Sequence, residues 1–166
     1  MGKGAIGNGL VRFGQAEVES VFGGNNKYMK IAVIDGQGGG IGKLLVEKLR
    51  TAFGNDIAVL ALGTNALAAS LMLKAGANEG ASGENAISFN APKVDVIVGT
   101  IGIVCANSML GELTPVMAKA ISESNAVKIL IPLNRCNIQI AGVKEEPLPH
   151  YIDDAVNRIG DVLRGR

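Results

Sequence analysis

The chain has 166 residues, of which 48% are hydrophobic and 19% charged, and its formal net charge is +1. This length suits one globular domain with a sizeable core. Because lysine and arginine form no cluster, the chain lacks the basic surface that nucleic acids and anionic membranes require. Residues 1–10 lack the apolar segment of a signal peptide, and no apolar run reaches the ~18 residues of a membrane span. A cytoplasmic location is predicted.

Residues 1–28 differ from the rest because they are rich in glycine and only weakly periodic. The first confident strand starts at Met29, so the sequence predicts an N-terminal tail over residues 1–28 and a single domain over residues 29–166. We expect the tail to be dispensable for folding. The alternative is an arm that packs on a partner subunit.

Strand and helix patterns alternate from Met29 onward. Residues 30–35 are mostly apolar, as in a strand buried on both faces of a parallel sheet. Further strands are predicted at residues 57–62, 77–81, 94–99 and 127–133, with an alternating edge strand at residues 137–143. Helices are predicted at residues 41–53, 66–75, 84–90, 112–124 and 151–163, and Thr64 is the predicted cap of the second helix. The order indicates a three-layer, Rossmann-like α/β fold, doubly wound, with about five parallel strands plus the edge strand.

A glycine-rich loop follows the first strand, with five glycines among residues 36–42. The strict G-x-G-x-x-G pattern fails at Ile41, but Gly36, Gly40 and Gly42 fit G-x-x-x-G-x-G. On these residues the loop resembles the cofactor loop of short-chain dehydrogenases, which implies a pyrophosphate at the helix N-terminus and NAD or NADP as the cofactor. The residues implied in binding are Gly36, Gln37, Gly38, Gly39, Gly40, Ile41 and Gly42. Strand–helix packing alone explains one or two of the glycines.

Two catalytic readings of this loop lack their partner residues. The Tyr-x-x-x-Lys pair of short-chain dehydrogenases is absent, because Tyr28 and Tyr151 are followed four residues later by alanine. A triphosphatase phosphate loop needs serine or threonine after Lys43, where the chain has Leu44. Neither hydride transfer of that type nor ATP hydrolysis is favoured.

The residues that would identify the cofactor are ambiguous. An acid at the end of the second strand binds the ribose of NAD, and an arginine binds the phosphate of NADP, but the chain has Thr64 and Asn65 there. Asn65 can hydrogen-bond a ribose. Asp35 repels a pyrophosphate unless it is turned away, bonded to loop amides or bridged by a cation, and we favour a structural role in which it ties down the glycine turn.

Other loops are predicted to meet the glycine loop, since ligands of doubly wound sheets bind at the carboxyl ends of the strands. These loops contribute Thr100, Ile101, Cys105, Asn134, Arg135 and Cys136. Arg135 is a candidate anchor for phosphate or carboxylate, and Cys136 or Cys105 is a candidate nucleophile. Cys105 between apolar neighbours is better explained as a small buried residue. No metal-ligand cluster has usable spacing.

Several segments together resemble a family of short bacterial Rossmann-like proteins of unknown function. They are KIAVIDGQGGGIGK, ALGTNALA, LKAGA, GENAI, IGIVCANSMLGE and ILIPLNRCN. The resemblance covers Met29 to about Arg158 and implies the fold, but no activity.

The leading hypothesis is a domain that binds a nucleotide or dinucleotide in a sensing or accessory role. One alternative is a small enzyme that uses Cys136 and Arg135 on an acyl or phosphorylated substrate, and another is a scaffold without a ligand. A homodimer is expected, because residues 66–75 are apolar on nearly every face and residues 137–143 offer an edge for pairing.

Deletion of residues 1–28 should leave the stability of the protein nearly unchanged, because the predicted sheet begins at Lys30. The measurement is a thermal melt of the full chain beside the truncated chain. A cooperative midpoint many degrees lower in the truncated chain would contradict the prediction.

Overall fold

The computed structural model describes residues 6–7, 10–11, 28–133 and 137–165. The strands of its main sheet are β1 Met29–Asp35, β2 Ile57–Gly63, β3 Glu79–Ser82, β4 Val96–Thr100 and β5 Val127–Ile131. The helices are α1 Gly40–Phe53, α2 Ala66–Lys74, α3 Glu84–Asn90, α4 Pro115–Glu123 and α5 Leu148–Arg164. Ile6–Gly7 and Leu10–Val11 pair separately as short antiparallel strands. None of the helices in the described ranges is both long and apolar enough to cross a membrane.

The main sheet has the strand order β3-β2-β1-β4-β5, and all its pairs are parallel. Asp35 at the end of β1 pairs with Gly63 at the end of β2, so the carboxyl ends of these strands lie at one edge. The order reverses at β1, because the chain moves outward through β2 and β3 and then returns to β4 on the other side. The predicted Rossmann-like, doubly wound α/β fold is confirmed.

The three central strands of the sheet, β2, β1 and β4, are buried on both faces, which explains their apolar sequences. Ile31 and Val33 belong to the core cluster that α1 and α5 cover, whereas Ala32 and Ile34 belong to the cluster under α3 and α4. Successive residues of a strand point to opposite faces, so a strand between two helical layers is apolar at every central position. The glycine loop therefore begins at the end of β1, a buried strand in the middle of the sheet.

The predicted edge strand at residues 137–143 is wrong. These residues are bends, turns and irregular backbone, and β5 is the edge strand on this side of the sheet. Asn137 and Gly142 have φ values of 52° and 84°, and a backbone hydrogen bond of 3.3 Å from Val143 to Ile140 closes a turn. Left-handed backbone at two positions prevents the segment from being extended, although its apolar residues alternate.

The cap of α2 and the start of α4 differ from the prediction, and α5 begins at Leu148 rather than at residue 151. The cap of α2 is Asn65 rather than Thr64, since the Asn65 side chain accepts a hydrogen bond of 2.9 Å from the backbone N–H of Ala68. The helix α4 begins at Pro115 rather than at residue 112, with Thr114 as its cap. Proline favours the first helical position, where its missing N–H costs nothing. Thr64 therefore lies before the cap of α2, and Glu112 lies before the cap of α4, so both side chains are outside the helices.

Arg50, near the end of α1, fastens that helix to two loops. Its Nε donates to the carbonyl of Gly76 at 2.7 Å, and its Nη1 donates to the carbonyls of Gly54 at 2.7 Å and Ile57 at 3.1 Å. Its Nη2 donates to the side chain of Asn78. One guanidinium thus joins the segments before β2 and before β3.

Replacement Arg50→Ala should lower the free energy of unfolding by about 2 kcal/mol, because several carbonyls lose a charged donor. The control is Arg158→Ala, which removes an exposed arginine paired with Asp154 and should cost less than about 0.5 kcal/mol. Denaturant melts of the three proteins measure the difference. Equal losses in the two variants would contradict the role of Arg50.

Candidate functional site

A cavity of about 670 Å³ opens at the carboxyl ends of β1, β4 and β5. Its volume is within the range of small-molecule sites. The glycine loop and the start of α1 form one wall, and the loops after β4 and β5 and the start of α5 form the rest. The lining residues are Asp35, Gly36, Gln37, Gly38, Gly39, Gly40, Ile41, Leu44, Thr100, Gly102, Met109, Leu110, Leu133 and Leu148.

Three of the five glycines in the loop are required by packing. A Cβ at Gly36 would lie 2.4 Å from Thr64 Oγ1, and a Cβ at Gly42 would lie 2.8 Å from Asp35 Cβ. Gly39 has a φ of 70°, and a Cβ there would lie 2.7 Å from the Cα of Ala68. These distances are shorter than any carbon contact allows, so three glycines serve the fold.

The other two glycines, Gly38 and Gly40, have no such explanation. Both are exposed, neither has a φ in the left-handed range, and a Cβ on either would meet no atom within 4 Å. Within the described residues, the backbone N–H groups of Gly38, Gly40 and Ile41 have no hydrogen-bond acceptor. The loop thus presents unpaired N–H groups and open space at the N-terminus of α1, where the helix dipole favours an anion.

The Asp35 carboxylate holds the glycine loop in place. It is buried, with Oδ1 accepting from the N–H of Gly36 at 2.8 Å and Oδ2 accepting from the N–H of Gly42 at 2.6 Å. These bonds agree with the structural role expected from the sequence. Both carboxylate oxygens thus point toward the loop backbone and accept charge-assisted hydrogen bonds from it.

Glu112, in the segment between β4 and α4, is the polar residue that the sequence reasoning missed. Its Oε2 accepts from the N–H of Gln37 at 2.8 Å, from Thr64 Oγ1 at 2.6 Å and from Asn65 Nδ2 at 2.9 Å. The hydrogen bonds from Thr64 and Gln37 hold the pKa of Glu112 below its usual range. Asn65 Nδ2 also donates to the carbonyl of Gln37 at 3.0 Å. The sequence analysis placed Glu112 at the start of a helix, and no motif marked it as a contact of the glycine loop.

The loop that carries Glu112 has strained backbone. Asn107, Met109 and Leu110 have φ values of 64°, 56° and 57°, which are uncommon for residues other than glycine. Leu110 is also 97% exposed at the rim of the cavity. Backbone strain of this kind persists only where the surrounding structure holds it, and it is concentrated at ligand sites.

The structure distributes the predicted site residues over different places. Gly36, Gln37, Gly38, Gly39, Gly40, Ile41 and Thr100 line the cavity. Gly42 is buried under the loop, and Thr64 and Asn65 contact Glu112 on the β2 side. Ile101 and Cys105 do not line the cavity, and Cys105 Sγ donates to the carbonyl of Ile101 at 3.2 Å. Asn134, Arg135 and Cys136 lie outside the described residues.

Comparison with known families identifies the chain. Residues 30–164 match the model of the family described as Domain of unknown function (DUF3842), and the chain belongs to this family. The match begins at the first residues of β1 and ends within the last residues of α5. No curated protein and no solved structure matches the chain.

Replacement Glu112→Gln should destabilise the protein at neutral pH by about 1 kcal/mol, because the carboxylate is a stronger acceptor than an amide oxygen. The pKa of Glu112 is lowered by folding, so its contribution is complete above the unfolded pKa of about 4.3 and is lost as pH falls through the lower folded value. Denaturant melts of both proteins at pH 7 and at strongly acidic pH measure this change.

The control is the same replacement in a Thr64→Val background, which lacks one donor to the carboxylate. There the neutral-pH effect of Glu112→Gln should be smaller, since the two residues interact directly. A difference between wild type and Glu112→Gln that does not shrink in acid would argue against this assignment.

Proposed function

We propose that this member of the DUF3842 family binds a nucleotide or another small molecule that carries a phosphate group. The phosphate lies at the N-terminus of α1 and accepts hydrogen bonds from the N–H groups of Gly38, Gly40 and Ile41. The observation that carries the proposal is the division among the glycines of the loop. Packing explains Gly36, Gly39 and Gly42, whereas Gly38 and Gly40 face open space at the cavity.

Two further features of the cavity support a phosphate bound by backbone. The described lining residues include no lysine or arginine, so the amides and the dipole of α1, a helix of 14 residues, supply the attraction for an anion. The carboxylate of Asp35 is bonded to the N–H groups of Gly36 and Gly42, which reduces its repulsion of a phosphate. Arg135 stays a predicted additional anchor.

The cavity also has an apolar part, which suits the remainder of the ligand. Leu44, Leu110, Leu133 and Leu148 line it, and Leu44 and Leu110 are exposed to solvent. An aromatic base or an aliphatic group lying on these leucines would remove them from water and contribute to affinity. The ligand screen described below tests NAD and NADP, the cofactors predicted from the sequence.

Self-association also stays a prediction, now with α2 as its main surface. Leu67 and Leu73 of this helix are 58% and 40% exposed, while its buried residues are Ala68, Ala69 and Met72. A helix with exposed leucines on its outer side is typical of a contact between subunits. Light scattering at micromolar concentration measures the oligomeric state.

A thermal-shift screen against NAD, NADP, FAD, ATP and CoA tests whether the site binds such a ligand. A compound present at 100 times its dissociation constant should stabilise the folded protein by about 2.7 kcal/mol. For a compound that binds, Gly40→Val should abolish binding, because the side chain fills the approach to the amides. The free energy of unfolding should change by less than about 1 kcal/mol, since no atom lies near that Cβ.

The matched control is Gly39→Ala, one position earlier in the loop. Its Cβ meets the backbone of Ala68 at 2.7 Å and its φ is 70°, so this variant should lose roughly 1–3 kcal/mol of stability. Calorimetric titration and denaturant melts separate the two effects. Undiminished binding by a well-folded Gly40→Val protein would exclude the loop as the phosphate site.

A further inference from the structure

The cavity lies on only one side of β1. A dinucleotide crosses the point where the strand order reverses, so that one nucleotide lies beside β2 and the other beside β4. Here Thr100 and Gly102 beyond β4 and Leu133 beyond β5 line the cavity. Neither Thr64 nor Asn65, which follow β2, is among the lining residues. The open space therefore corresponds to the half of a dinucleotide site on the β4 side.

The other half is filled by the chain itself. Glu112 Oε2 occupies the donors that a ribose would use on the β2 side, namely the N–H of Gln37 and the side chains of Thr64 and Asn65. A Cβ on Gly36 would lie 2.6 Å from Met109 Sδ, so the methionine is packed directly against the first turn of the loop. Both residues come from the segment after β4.

This closure is anchored in the fold. Leu113, next to Glu112, is fully buried in the core cluster under α3 and α4. The N–H of Asn107 donates to the carbonyl of Leu113 at 2.8 Å, and Ser108 Oγ donates to the carbonyl of Gly102 at 2.6 Å. A dinucleotide entering on the β2 side would have to displace a segment held from both ends.

We propose that Glu112 and Met109 are specificity-determining residues that restrict the site to a mononucleotide or a phosphate ester of similar size. The phosphate lies on the amides of Gly38, Gly40 and Ile41. The base or apolar group lies on the leucines that line the apolar part of the cavity. This inference rests on the proposed function and names its ligand class. Dinucleotides are excluded by the space that Met109 fills and by the donors that Glu112 occupies.

The test compares NAD with its two halves, nicotinamide mononucleotide and AMP, and FAD with FMN and AMP, by calorimetric titration. The wild-type protein should bind at least one mononucleotide, with a dissociation constant at least ten-fold lower than that of the dinucleotide containing it. The variant Glu112→Ala/Met109→Ala opens the β2 side. It should bind that dinucleotide at least ten-fold more tightly than wild type, so that the ratio of dinucleotide to mononucleotide affinity rises.

The matched control is Glu84→Ala, which removes the carboxylate that accepts from Thr114 Oγ1 and does not touch the glycine loop. It should leave the ratio of mononucleotide to dinucleotide affinity unchanged. If the double variant does not give a cooperative melt, the single variant Met109→Ala replaces it, with the same expected direction.

The outcomes separate this inference from the proposed function. Tighter binding of a dinucleotide than of both its halves by the wild-type protein overturns the size restriction and leaves phosphate binding intact. If the folded double variant Glu112→Ala/Met109→Ala has the same ratio of mononucleotide to dinucleotide affinity as wild type, the assignment to Glu112 and Met109 is overturned. The absence of binding by every probe, in wild type and opened variant alike, contradicts the proposed function and the inference with it.

Discussion

The candidate site depends on the pair of hydrogen bonds between the Asp35 carboxylate and the N–H groups of Gly36 and Gly42. These bonds join the last residue of the central strand to the first turn of α1 across the whole glycine loop. A loop of five glycines has a high conformational entropy when unfolded, so its order needs a fixed internal acceptor. With the carboxylate in place, the amides not used for the turn point in a defined direction.

The Glu112 carboxylate also accepts a hydrogen bond from an N–H group of the glycine loop, but from a position much farther along the chain than Asp35. It lies 75 residues from Gln37 and binds a loop amide together with two side chains at the end of β2. The loop N–H groups thus fall into those held by Asp35, the one held by Glu112, that of Gly39, which donates to the carbonyl of Gly36, and those open to the cavity. The Glu112 carboxylate occupies the amide of Gln37, so the amides of Gly38, Gly40 and Ile41 are the ones left for a phosphate.

The fold was predictable because its signals are local and repeated. Apolar runs indicated β1, β2 and β4, and the pattern of α3 at Glu84–Asn90 predicted its bounds correctly. The segment at residues 137–143 has an equally clear alternation but contains left-handed backbone at Asn137 and Gly142, which alternation does not reveal. The glycine loop was found for the same reason as the strands, since its composition is unusual over a short stretch.

The sequence did not show which glycines of the loop serve packing and which face the cavity. The pattern grouped Gly36, Gly40 and Gly42, whereas three-dimensional packing groups Gly36, Gly39 and Gly42 and leaves Gly38 and Gly40. Which glycine is crowded depends on Ala68, Met109 and Asp35, and the first two lie far away in sequence. The Glu112 contact is invisible for the same reason, because no local pattern pairs an acid with residues 47 and 75 positions earlier.

The long separation between Gln37 and Glu112 also has a consequence for the order of folding. The pair Asp35–Gly63 closes a short segment of the chain, whereas the pair Ile31–Val96 closes a longer segment that contains β2, β3 and α3. Contacts of high sequence separation form late, since loop-closure entropy must first be overcome. We therefore expect the finished cavity, with Glu112 in place, to be among the last features to form during refolding, so that a molecule that binds there recognises only chains that have folded completely.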